Sequence, residues 1–471
     1  MVEHPLVDAW LAAREKGMRP LQIPGHKYRY TGDDRALGSD RLAPLIRDDV
    51  SLQGGADDNH FGGRVLERSE ALWATSVHAD HARFLVGGSS QGNIAAITAV
   101  GGPGVALALD RTSHRSALAG LVVSGSMPTW LQPRLHPELG LPLGVDASAL
   151  DVLGPGVVGV FVTTPTYVGT RGDVAALAAH AHAAGLVLVV DQAWGAHLFF
   201  LDGGGAFEQG ADVAVTSVHK ALMGYSQTAV VAVSGPRVGA DRLDRAVDLT
   251  ATTSPSATLM ASIDATRAVM DDVGAAELER AVGSVAQMRR QLRRVPGLVV
   301  VDEAEIGSPT DPLKLTLWLP HIGVDGVELA ELLWQQGNGV EAADADTVVM
   351  TMSILDEHEF CLQTADMLVA LLERMRGDRR APAPSAHWQV VPEVVVSPRE
   401  AFFARRRRIS LREAVGEISA EQFCPYPPGV PLLAPGERVT AQIVEDIAQA
   451  GRVGRVAYCS DPTLATVEVL A

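Results

Sequence analysis

Cysteine is scarce in this chain. Cys361, Cys424 and Cys459 stand far apart among 471 residues. An odd, widely spaced set gives no disulfide framework and reads as reduced thiols in a cytoplasmic protein. A basic excess is also missing. Against 56 acidic residues there are 39 Lys and Arg, for a net charge of −17, which argues against a nucleic-acid surface. No uninterrupted apolar run reaches membrane-spanning length, so no membrane association is expected. The opening MVEHPLVDAWLAAREKG lacks a cationic segment followed by an apolar core, so no secretory signal is expected either. Internal repeats and low-complexity tracts are absent. What remains is a 47% hydrophobic, 20% charged globular composition on a chain long enough for two or three domains.

Residues 1–65 read as an arm: a helical start gives way to IPGHKYRYTGDD and a Gly-, Asp- and His-rich stretch that would drape over another surface, a partner subunit included. From 66 to 275, short apolar runs alternate with Ala-rich helical stretches. The strands expected are ARFLVGG, GVALALD, GVVGVFVTT, GLVLVVD, ADVAVTS and TAVVAVSG. Near-continuous apolar runs of this kind belong to a mostly parallel sheet with both faces covered, and ligands collect beyond the carboxyl ends of such strands. Residues 276–380 suggest a smaller α+β domain. A Pro- and Arg-rich linker, RGDRRAPAPSA, leads to a last segment, 381–471.

Polar clusters fall at the expected strand ends. Gly87-Gly88-Ser89-Ser90-Gln91-Gly92-Asn93 is either a simple strand-to-helix turn or an anion cradle of free N–H groups and hydroxyls. His114 is either structural or placed to stack on a planar ring or move a proton. Asp191 ends an apolar strand, as a helix N-cap or as the partner of a ring cation, with Ala193 small enough to let a ring lie flat. Lys220 follows another strand, beside Ser217 and His219. A lysine at a desolvated strand end suits a Schiff-base amine, because it must shed its proton to attack a carbonyl. Asp191 and Lys220 lie one helix-and-strand unit apart, which suits a pyridoxal-phosphate site: the acid on the ring nitrogen, the amine at the opposite edge.

These stretches carry a family resemblance. PGHK (24–27), GGSSQGN (87–93), DRTSHRS (110–116), TTPTYVGTRGDV (163–174), VDQAWGAH (190–197), SVHK (217–220), TTSPSATLMASIDATR (252–267) and ISAEQFCPYPPGVPLLAPGE (418–437) occur in order along nearly the whole chain. The chain resembles the pyridoxal-phosphate-dependent ornithine/lysine/arginine decarboxylases, whose fold is aspartate-aminotransferase-like (fold type I). The resemblance implies pyridoxal 5'-phosphate joined to Lys220 and paired through its ring nitrogen with Asp191. Its phosphate would be held by Ser89, Ser90, Ser217 and His219, with Gln91 in the same loop. His114 would lie on the ring and Ala193 beneath it, while Thr253 and Ser254 would reach the site of a neighbouring subunit in a homodimer or higher homo-oligomer. The implied reaction removes CO₂ from a basic amino acid. His219 or Lys220 would return the proton, and Glu421 would read the distal cation of the substrate. Transamination or oxidative deamination on the same scaffold, or a catalytically silent cofactor-binding relative, are the alternatives. The chain departs from the family pattern at Arg29, Gln192 and Ala221; the first two bear on the substrate pocket.

Other residues have plainer readings. His78 and His81 have helical metal-ligand spacing without an acidic or thiol partner nearby, and read as surface residues. His180 and His182 do not share a helix face. Arg405 to Arg408 read as a solvated face and Cys424 as packing. No metal site is expected.

Overall fold

Four parallel strands end in polar residues along one edge of a sheet, and the rest of the fold places them there. The structure, a computed structural model, describes residues 2–16, 24–26, 49–53, 56–57, 64–382, 392–425, 429–452 and 457–471. Lys27, Arg29, most of the Asp- and His-rich stretch before Arg64, part of the linker and Tyr426–Pro428 of the PYPPG stretch lie outside them.

Helix α1 (Pro5–Glu15) lies on its own chain, because the Asp264 carboxylate accepts from Leu6 N at 2.9 Å and Thr258 Oγ1 from Trp10 Nε1 at 2.9 Å. After α2 (Val65–Ser76), the seven-stranded sheet is built from β1 (His81–Leu85), β2 (Ala106–Asp110), β3 (Met127–Leu131), β4 (Val157–Thr163), β5 (Val187–Asp191), β6 (Val213–Ser217) and β7 (Ala229–Val233). Their spatial order is β1-β7-β6-β5-β4-β2-β3, all parallel except β7, which runs against both neighbours. The fold is thus the expected α/β architecture with a mostly parallel central sheet. Val-rich β5, β6 and β7 are buried on both faces, as strands covered by helices on each side must be. Helix α3 (Gly88–Val100) packs directly on β6. Gly92 is what permits it, since a Cβ there would stand 2.6 Å from Val215 Cγ1. Helices α4 (Ser116–Ser124) and α5 (Val174–Ala183) complete the crossovers.

Beyond α6 (Ala240–Thr250), α7 (Ala257–Val269) continues through a π-helical turn, Met270–Gly274, into α8 (Ala275–Leu292). The domain boundary expected at 275 therefore falls inside one unbroken helical run. It leads to a second, antiparallel sheet of order β8-β9-β11-β10, made of β8 (Val299–Val300), β9 (Lys314–Trp318), β10 (Ala342–Ala343) and β11 (Thr347–Thr351). Helices α9 (Gly326–Gln335) and α10 (His358–Met375) accompany it, the first N-capped by Asp325. The second sheet is keyed to the first by the segment before β9. Asp311 N donates to Gly169 O at 2.7 Å, and the buried His197 ring meets the Asp311 carboxylate at 2.8 Å.

The C-terminal segment starts with α11 (Pro398–Phe403), closed by a Ser397/Glu400 capping box. It then adds β12 (Arg406–Ser410), β13 (Cys424–Pro425), α12 (Ala441–Arg452), β14 (Ala457–Tyr458) and β15 (Thr466–Leu470), pairing β12 with β15 and β13 with β14. A buried ion pair, Arg111 Nη1 to Glu437 Oε1 at 2.6 Å, joins this segment to the loop after β2. Arg406 and Arg408 pair with Glu468, and Arg407 with Glu417. Burial pushes the Cys424 thiol up to about 12, which keeps it protonated and inert. Among the described residues no helix is long and apolar enough to cross a membrane.

Candidate active site

Asp110, Thr163, Asp191 and Ser217 are the last residues of β2, β4, β5 and β6. Around this edge lies a cavity of ≈ 370 Å³ whose walls include Ser89, Ser90, His114, Asp191, Ala193, Trp194, His219, Lys220 and Glu341. Residues from four separate sequence stretches thus share one chamber, together with Glu341 from the second sheet and Val430 from the C-terminal segment.

One side of the chamber is suited to an anion. The first turn of α3 presents Ser89 and Ser90, whose N–H groups have no preceding helical carbonyl to bond. Ser217 Oγ, just ahead of His219 and Lys220, lies behind the cavity wall rather than on it, buried without a hydrogen-bond partner among the described residues. Thr163 Oγ1 is likewise buried without a partner among them. Orphaned buried hydroxyls are uncommon because each costs about 1–3 kcal/mol, so a ligand with several acceptor oxygens fits here.

Asp191 is 2% exposed. Its Oδ2 accepts from Asn93 Nδ2 at 2.7 Å and its Oδ1 from Ala193 N at 3.0 Å. Its pKa is raised: burial drives the carboxyl upward, and the Lys220 charge and the two hydrogen bonds recover only part of that rise. Asn93 also donates to Ser116 Oγ at 3.0 Å, and Ser116 Oγ meets His114 Nδ1 at 2.9 Å. Ser116 N donates to the same His114 Nδ1 at 3.2 Å, so that nitrogen is the acceptor and Nε2 carries the proton. Burial, with Lys220 and Arg115 nearby, lowers the His114 pKa to about 4. The imidazole is therefore neutral at pH 7.

Lys220 is held by the short helical turn Val218–Ala221. Burial lowers its ammonium from the usual lysine range, against the pull of Asp191 and Glu341. Its Nζ sits 3.7 Å from the centroid of the Trp194 ring. His219 Nδ1 donates to Thr228 O at 2.8 Å, which leaves Nε2 for other partners; burial lowers this imidazole too.

Some expected residues lie elsewhere. Gln91 does not line the cavity; its Oε1 accepts from Gly87 N at 3.0 Å and braces the turn. Thr253 and Ser254 are exposed and outside this chamber. Glu421 is corrected. Its carboxylate is consumed by Ser460 Oγ at 3.0 Å, Ser460 N and Glu468 N at 2.7 Å, within the C-terminal segment. Gln192 turns away from the cavity, since its amide spans Gly204 O and Ala206 N at 3.1 Å each. Ala221 is buried. His78 and His81 approach different carboxylates, Glu208 at 3.9 Å and Asp244 at 2.7 Å, and His180 and His182 likewise meet Asp151 and Asp212. Sequence reasoning missed Asn93, Trp194, Glu341 and Lys314. Asn93 and Trp194 stood in the quoted motifs without a role. Glu341 and Lys314 carry no local signal, because the second sheet delivers them from far along the chain.

Family models match over most of this length: the Orn/Lys/Arg decarboxylase major domain over residues 4–316 and its C-terminal domain over 383–450. The arginine decarboxylase of Bacillus subtilis is 30% identical over 457 residues, covering 91% of this chain and 90% of the relative. That of Halalkalibacterium halodurans is 29% identical over 483 residues, covering 99% and 97%. The lysine decarboxylase LdcA of Pseudomonas aeruginosa is 24% identical over 538 residues, covering 88% and 71%. The crystal structure of Francisella novicida lysine decarboxylase LdcF superposes with a TM-score of 0.84 at 18% identity, covering 100% of this chain and 81% of that one. The chain belongs to the ornithine/lysine/arginine decarboxylase family and is an amino acid decarboxylase.

Proposed function

We propose that the protein removes CO₂ from a basic L-amino acid, using pyridoxal 5'-phosphate, as a homodimer or higher homo-oligomer. The observation that carries this is one chamber holding a desolvated amine, a buried hydrogen-bonded carboxylate and an anion cradle together. Ser89, Ser90, Ser217 and His219 would hold the phosphate, Lys220 the aldehyde carbon, and Asp191 the ring nitrogen. His114 and Ala193 would flank the ring. When bound, the cofactor supplies an electron sink for the pair left behind by the departing carboxyl carbon.

The chain's own groups do the remaining work. Asp191 is anchored by Asn93 and Ala193 N where a ring N–H⁺ would meet it, and both hydrogen bonds favour its ionised form. Lys220, lowered by burial, gives up its proton more readily than an exposed lysine and so can exchange with the substrate amine. His219 Nε2 or the freed Lys220 amine can return a proton to the substrate carbon. Glu341 lines the chamber, and its carboxylate makes no hydrogen bond or ion pair with another described residue. A free carboxylate facing the chamber suits the distal cation of arginine, lysine or ornithine, the role first expected of Glu421. Thr253 and Ser254, exposed on their own chain, would serve the cavity of a neighbouring copy.

The test is incubation of cofactor-loaded protein with L-arginine, L-lysine and L-ornithine, measuring CO₂ and amine. Equal amounts of the two are expected from at least one substrate. Keto acid without CO₂ would make the protein a transaminase or oxidative deaminase. No turnover of any of the three would leave a silent relative.

A further inference from the structure

Lys314, the first residue of β9, is a buried amine that the reaction described above does not use. It is 2% exposed. Its Nζ donates to Thr351 Oγ1 at 3.2 Å and lies 3.7 Å from the centroid of the Trp194 ring. Lys220 Nζ lies 3.7 Å from the same centroid, so the two amines are within twice that distance of each other. No carboxylate of a described residue is in ion-pair reach of Lys314; Asp311 and Glu341 act on it from farther away. A buried lysine without an ion pair is costly to keep, and burial brings this one down to about 8.

The fold is shaped to lead this side chain to the ring. Gly169 has φ +90°, and a Cβ there would collide with the lysine stem, 2.8 Å from Lys314 Cγ. Asp311, three residues earlier, is locked on His197, the neighbour of the strand-end loop that carries Trp194.

We infer that Lys314 is a positioning residue for the same reaction: it fixes the Trp194 ring as a plate on which the Lys220 amine docks, and its charge on that shared ring disfavours a second charge on the Lys220 amine. A π face attracts an ammonium, but two ammoniums on one ring disfavour each other. Asp191 and Glu341 favour charge on Lys220, and the neutral His114 and His219 add none. Burial opposes them, and Lys314 is the second cation on the ring, where charge on either amine disfavours charge on the other.

The inference rests on Lys220 being the cofactor amine, and two measurements separate the claims. Borohydride reduction of the loaded wild-type protein should fix the cofactor on the Lys220 peptide; a mark on another lysine would sink the functional reading. For Lys314, the full-length protein freed of cofactor is pulse-labelled with acetic anhydride across pH, and acetylation of Lys220 is followed by mass spectrometry. Lys314→Met should raise the Lys220 midpoint by about one unit, slowing its acetylation at pH 7 about tenfold. Lys314→Arg should restore the wild-type midpoint. Should Lys314→Met fail to fold, Lys314→Gln is expected to give the same shift. A folded, uncharged variant with an unmoved Lys220 midpoint would overturn the inference, as would an equal shift in Lys314→Arg.

Discussion

Replacing Asn93 with Ala cuts the bridge between the strand-end carboxylate and the histidine opposite it. In the native structure Asn93 Nδ2 gives Asp191 a 2.7 Å hydrogen bond and Ser116 Oγ a 3.0 Å one. A hydrogen bond to a charged group contributes about 1.5–3 kcal/mol. The bond favours the ionised form of Asp191, so losing it raises that carboxyl further. Asp191 then carries its negative charge only at higher pH. Losing about 1.5–3 kcal/mol at this bond lowers kcat/KM about 10- to 100-fold, with the acid limb of the pH–rate profile displaced upward. CO₂ release measured between pH 5 and 9 checks it, with thermal melting as the control for folding. The native Ser116–His114 contact gives a second check: Ser116→Ala removes the other end of the bridge and should shift the profile in the same direction, by less. If Asn93→Ala stays folded and turns over substrate within twofold of wild type, with an unmoved acid limb, the hydrogen-bonded Asp191 is not what holds the site ready.

Three other outcomes follow from the geometry. Glu341→Gln should raise KM for basic substrates about tenfold or more while changing kcat less, as steady-state kinetics would show. His114 titrates near 6.5 in the unfolded chain and at about 4 in the fold, so the unfolded chain takes up the proton first as pH drops. Its stabilising contribution is whole above pH 6.5 and is lost as pH falls towards 4, up to about 3 kcal/mol; His114→Gln should flatten the melting temperature over that window. Glu437→Gln strands the buried Arg111 guanidinium and should destabilise by about 3–5 kcal/mol in chemical unfolding, against little change for Glu417→Gln at the exposed Arg407 pair.

The large sheet was legible because its strands advertise themselves. GLVLVVD and ADVAVTS are apolar on both faces and end in a polar residue, and β5 and β6 end at Asp191 and Ser217 as that pattern requires. Lys220, Asp191, His114 and the serine turn follow their strands immediately, so their convergence at one edge follows from parallel pairing alone. The antiparallel β7 was not visible in TAVVAVSG, since pairing direction leaves no trace in a run of buried valines. Nor were Glu341 and Lys314 readable as site residues. They come from a separate sheet, and contacts between distant stretches, Asp311 on His197 and Gly169 among them, bring Glu341 to the cavity and Lys314 to its Trp194 wall. Glu421 was misjudged for the opposite reason: it lies in a segment that does reach the chamber, but through Val430, while its own carboxylate ties a loop to the last strand.

The unbroken run from α7 through the π turn to α8 fixes rotational phase as well as distance. Five residues, Met270–Gly274, occupy the wide turn. Removing one would tighten it to ordinary α-helix and rotate everything downstream by about 100° around the shaft, with an axial slip of about 1.5 Å. The amine and carboxylate at 220 and 191 would keep their places, whereas the acid at 341 would swing off the chamber and the lysine at 314 off the Trp194 ring. That one loose coil thus sets the angle at which the second sheet meets the first.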